Sequence, residues 1–74
     1  MTNFSTLIAS PPDREGLVYE IWLGSFQVAE ISREPGESLG IQIYPSPEGG
    51  WRFDLKEFLA VLEDGVKVLS ESSK

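Results

Sequence analysis

Neither histidine nor cysteine occurs among the 74 residues of the chain. Histidine is the side chain that titrates near neutrality, and the cysteine thiolate is a nucleophile and a soft metal ligand. Their absence excludes Ser–His and Cys–His catalysis, imidazole and thiolate metal centres, and any disulfide. Basic residues are also scarce, six against twelve acids, for a formal net charge of −6. A field of that sign repels phosphate backbones and anionic lipid and draws basic partners inward. No apolar run approaches the ~20 residues that a membrane-spanning helix requires. Met1 to Ala9 has neither the basic start nor the long apolar run of a secretory leader. A cysteine-free chain without such a leader is expected in the cytoplasm.

What is present reads as a small globular domain. Hydrophobic residues at 41 % and charged residues at 24 % are ordinary for a folded chain, which argues against disorder throughout. The length permits one domain, with a core supplying roughly 3–5 kcal/mol of net stability.

Phe4, Leu7 and Ile8 sit in a Ser/Thr-rich opening that ends at Pro11-Pro12-Asp13, so residues 1–16 form an extended arm or an edge strand. Leu17 to Leu23 and Phe26 to Ser32 are β-prone runs separated by Gly24-Ser25, the pattern of a hairpin on a type I′ or II′ turn. A regular ladder from that turn pairs Leu23 with Phe26, Ile21 with Val28 and Tyr19 with Glu30 on the core face. The same ladder pairs Trp22 with Gln27, Glu20 with Ala29 and Val18 with Ile31 on an outer, half-wet face. Arg33 to Ser38 is a polar loop around Pro35-Gly36. Leu39, Ile41 and Ile43 then alternate with Gly40, Gln42 and Tyr44 in a third strand, so the meander occupies residues 17–44.

The sharpest local signal is Asp54 followed three residues later by Glu57, a capping box, with Phe53 and Phe58 at the hydrophobic-staple positions. A helix over 54–69 follows, with Leu55, Phe58, Leu59, Leu62, Val66 and Leu69 as its apolar stripe, widened by Val61 and Val68. Gly65 is a conflict, since glycine costs ~1 kcal/mol inside a helix and often ends one. The stripe keeps phase across it, which favours a continuous helix over a break followed by a short strand at Val66 to Leu69. Residues 70–74 are expected to fray. The expected fold is α+β, a three- or four-stranded antiparallel β-meander with one C-terminal helix packed across one face.

Chemistry-bearing patterns are thin. Lys56, Lys67 and Lys74 fall on solvent faces or the tail, so no buried lysine serves a Ser–Lys pair. Glu63-Asp64 point to water from the helix. Gly49-Gly50 lacks the lysine and helix register of a phosphate loop. Glu34 to Glu37 offers only two carboxylates around Pro-Gly as a calcium loop. No catalytic residue, metal site or cofactor is expected, and the chain is read as a non-enzyme.

Binding remains. The outer face gathers Trp22, Glu20, Gln27, Ile31, Gln42 and Tyr44 beside Val18, with Glu34 and Glu37 in an acidic rim. Such a face is covered by the arm (Phe4, Leu7, Ile8), buried in a homodimer, or offered to a partner. Trp51, just before the cap, is expected to anchor its loop to the core. The opening Met1 to Thr6, with Pro12-Asp13 and Gly16, is similar to the start of small acidic phage anti-CRISPR proteins over less than a third of the chain. In size, charge and expected fold the chain also resembles bacterial toxin-immunity proteins. Both resemblances imply an inhibitor, and neither carries a site residue over. The expectation is an accessory or inhibitory protein-binding module of immunity, antitoxin or anti-defence type whose partner is a basic protein. The alternatives are a single-stranded nucleic-acid binder stacking bases on Trp22 and Tyr44, which the charge opposes, and a homodimeric structural subunit.

Overall fold

The computed structural model describes residues 3–12, 16–34 and 36–72. Its order is β1 (Phe4–Ala9), β2 (Val18–Leu23), β3 (Phe26–Ser32), β4 (Gly40–Ile43) and α1 (Leu55–Ser72). The four strands form one antiparallel sheet in the order β1-β2-β3-β4, with the helix packed against it, as expected for the α+β meander. Phe4–Ala9 of the N-terminal arm is thus an edge strand alongside β2, in the plane of the sheet, while residues 1–2 and 13–15 of the arm lie outside the described residues.

Gly24 has φ 62°, while no residue other than glycine has a positive φ among the described residues. That combination selects type II′ from the two hairpin turns expected, because type I′ needs a positive φ at both central positions. Leu23 pairs with Phe26 and Trp22 with Gln27, as the turn dictates. The ladder then shifts between Ile21 and Trp22. Beyond the shift Ile21 faces Ala29, Tyr19 faces Ile31, Glu20 faces Glu30 and Val18 faces Ser32. A β-bulge at Val28 therefore overturns the regular pairing expected, and its physical reason is plain. Without the extra residue Glu30 would point under the helix and Ile31 into water. One bulge exchanges them, since a one-residue slip turns every following side chain to the other face.

The core follows from that exchange. Tyr19, Ile21, Val28, Ala29, Ile31 and Leu69 form its buried centre. Phe4, Leu17, Leu23, Leu39, Trp51, Phe53, Phe58, Val61, Leu62 and Val68 pack around it. Val18 is fully buried but stands outside this cluster, on the opposite side of β2.

The cap forms as expected. The Asp54 carboxylate accepts the Glu57 amide at 3.0 Å, and the Phe53 and Phe58 rings stack with centroids 5.0 Å apart. Phe4 joins from β1, 5.0 Å from Phe53 and 5.6 Å from Phe58, which ties the first strand to the start of the helix. Trp51 stacks on Phe53 and donates its Nε1 hydrogen to the Tyr44 carbonyl at 2.7 Å, so it anchors the loop between β4 and α1.

Gly65 does not end the helix, which continues to Ser72, past the expected end at 69. Residues 73–74 of the expected frayed tail lie outside the described residues. The glycine is buried, and a Cβ there would stand 2.7 Å from Tyr19 Cδ2 and 2.8 Å from Ile31 Cδ1. Its missing side chain lets the helix backbone rest directly on the sheet. The buried stripe is consequently centred on Gly65 and runs Phe58, Val61, Leu62, Gly65, Val68, Leu69. Leu55, Leu59 and Val66, expected inside, are exposed. Ile41 and Ile43 are exposed as well, because α1 lies over β2 and β3 and leaves β4 uncovered.

Candidate recognition face

The sheet surface away from the helix is built by strand alternation. Its central row crosses all four strands as Leu7, Glu20, Glu30 and Gln42. The next row toward the hairpin holds Ser5, Trp22 and Gln27, and the row on the other side holds Ala9, Val18, Ser32 and Gly40.

Two aromatic groups hold the two central carboxylates. Trp22 donates its Nε1 hydrogen to Glu20 Oε1 at 2.9 Å. The Tyr44 hydroxyl donates to Glu30 Oε1 at 3.3 Å. Glu20, Trp22, Gln27, Glu30 and Tyr44 are half-buried, and Gln42 is exposed. Like charges directly opposite one another on a sheet are destabilising. The pair concentrates negative charge at the middle of this face, while the rings fix the orientation of one oxygen of each carboxylate.

Of the residues expected on this face, Glu20, Trp22, Gln27, Gln42 and Tyr44 stand together. Ile31 does not join them. The bulge turns it to the helix side, where it is 4 % exposed and meets Gly65. Glu34 and Glu37 are exposed on the loop between β3 and β4, joined by a Glu37 amide to Glu34 carbonyl bond of 3.0 Å. That loop lies at the opposite end of the sheet from the Gly24-Ser25 turn, so the two acids do not border Trp22. Glu30, which a regular ladder assigns to the core side, is the central residue that the alternation misplaced.

The helix side holds a different polar contact. The Tyr19 hydroxyl donates to Asp64 Oδ2 at 2.7 Å, fastening β2 to α1. Burial pushes the Tyr19 phenol above its ordinary value of 10.0, and the hydrogen bond to the Asp64 carboxylate and that group's charge push the same way. A hydrogen bond with Thr6 of β1 acts in the opposite direction.

No helix among the described residues is long and apolar enough to cross a membrane. No protein-family model matches the sequence, and no curated protein or solved structure matches it either.

Proposed function

We propose that this chain is a non-catalytic protein-binding module, an accessory or inhibitory factor that docks on a basic protein through its outer sheet face. The observation that carries this reading is the opposed Glu20–Glu30 pair, oriented by Trp22 and Tyr44 on a solvent-facing sheet. An arginine or lysine of a partner that meets this face gains charge-assisted hydrogen bonds to carboxylate oxygens whose orientation is already fixed. The flanking rings offer the amphipathic area that interface centres favour. The net charge of −6 speeds encounter with a positive surface. The same acidity lets such a module imitate a phosphate backbone and occupy a nucleic-acid-binding protein.

Stacking of single-stranded nucleic acid on Trp22 and Tyr44 is the weaker alternative. Both aromatic groups are committed to carboxylates, which sets negative charge where phosphates would run. Affinity capture from a host lysate, with and without nuclease and with Trp22→Ala alongside, separates the two. The proposal expects a basic protein retained by the wild type in both arms and lost with a folded Trp22→Ala. Loss of the bound material after nuclease would favour nucleic acid instead.

A further inference from the structure

The free edge of β4 and the apolar flank above it form a second surface, independent of the outer face. We propose that this surface pairs two copies of the chain in a two-fold dimer, β4 against β4, with Gln42 at the axis.

The backbone directions come from the ladder. The Tyr44 amide donates to the Val28 carbonyl at 2.9 Å, so residue 44 turns its hydrogen-bonding groups toward β3. Antiparallel strands alternate, so Gln42 also turns inward, while Ile41 and Ile43 present their N–H and C=O groups to the free edge. Edge strands in monomeric proteins are commonly blunted by charge, proline or a bulge. Gly40-Ile41-Gln42-Ile43 has none of these. A second copy set antiparallel with Gln42 facing its counterpart brings Ile41 opposite Ile43 twice. Each of those pairs exchanges two backbone bonds, four in all, and both sets of orphan groups are satisfied. The glutamine amides, each with donor and acceptor, meet across the axis on the outer face.

The side chains agree with this register. Ile41 and Ile43 point to the helix side at 47 % and 58 % exposure, and four such isoleucines become contiguous across the seam. Val66 of α1 lines the groove with Ile41, and Leu59 stands two turns earlier on the same helix face, at 44 % and 47 % exposure. Ile31, Leu39, Gly40, Ile41, Leu62 and Val66 line an open apolar groove of ≈ 220 Å³ between β4 and α1. The largest apolar patch on a typical monomer is about 300–600 Å². A standard interface buries ~800 Å² per partner, so paired strand backbones must add to the patch and the dimer belongs to the weak class. Charge selects the occupant. A basic partner is drawn to the acidic outer face, whereas β4 and the groove lining carry no charged side chain and match themselves. Two-fold pairing also closes after two copies, which a β1-to-β4 contact would not.

Sedimentation equilibrium over micromolar to millimolar chain concentration gives the mass, and amide hydrogen exchange by NMR gives the location. The dimer predicts a rise to twice the chain mass, together with concentration-dependent slowing of the Ile41 and Ile43 amides. Ile43→Pro removes an outward amide that no bond within the chain uses, and Ile43→Lys adds a charge at an exposed position. Both variants are expected to remain monomeric, with wild-type circular dichroism for at least one. A monomeric wild type at every concentration, masses beyond two copies, or a dimer that leaves the Ile41 and Ile43 amides unprotected would overturn the proposal. Edge protection that appears only with an added peptide strand would overturn it too.

Discussion

Tyr19 is the residue through which the sheet reports to the helix. Its ring lies against the place where Gly65 lacks a side chain, and its hydroxyl reaches Asp64 one position earlier on the same helix. The raised phenol value means that the fold favours the neutral form. The associated stability is fully present below about pH 10, where the unfolded phenol titrates, and is lost as pH rises through the folded value. Tyr19→Phe keeps the ring and deletes the hydroxyl. At neutral pH it is expected to cost about 1.5–3 kcal/mol, the usual range for a hydrogen bond to a charged acceptor. The difference between wild type and variant should narrow above about pH 10. Denaturant unfolding of both proteins across that range measures it.

At the scale of elements, the start of α1, its continuity through Gly65 and the burial of Phe58, Val61, Leu62, Val68 and Leu69 are legible in the sequence, while Leu55, Leu59 and Val66 depart from it. The Asp54–Glu57 cap and the Phe53–Phe58 staple are contacts between residues close in sequence, so spacing alone identifies them. The spacing of large apolar residues points to a face rotated from the buried one, whose centre is Gly65. A glycine contributes nothing to an apolar pattern, yet here it fixes which side of the helix meets the sheet. Gly65→Ala sets two effects against each other. Helix propensity favours alanine by ~1 kcal/mol, while overpacking a filled core costs ~1–3 kcal/mol. The obstructing atom is a ring carbon of Tyr19, a side chain held at its far end by Asp64, so the ring has little room to yield. Net destabilisation of about 1 kcal/mol is expected, seen as a lower Tm. A higher Tm would show that the helix seat is looser than the geometry describes.

The hairpin carries the same lesson from the other side. Its turn and first two pairs follow from Gly24-Ser25, but the bulge lay in a phase slip. Phe26 and Val28 share one parity, Ala29 and Ile31 the other, and consecutive apolar residues at 28 and 29 mark the change. A regular alternation cannot bury both Val28 and Ile31 while leaving Glu30 in water. The candidate site inherited that error, which is why Ile31 was placed on the outer face and Glu30 was not.

For the whole molecule, one sheet has two faces of opposite character and a free edge. The helix side buries a small apolar core, the outer side holds the opposed carboxylates, and β4 is open along its edge. The character of the outer face depends on the single bulge at Val28, since it decides whether Glu30 or Ile31 stands there. Equilibrium unfolding of Ile31→Ala beside Glu30→Ala tests this most directly. Ile31→Ala removes a buried side chain against the helix and is expected to cost about 2–5 kcal/mol. Glu30→Ala removes a half-buried side chain of the outer face together with its hydrogen bond from Tyr44, and is expected to cost about 1 kcal/mol or less. The reverse order, with Glu30→Ala the damaging change and Ile31→Ala nearly silent, would restore the regular ladder and remove the paired carboxylates from the recognition face.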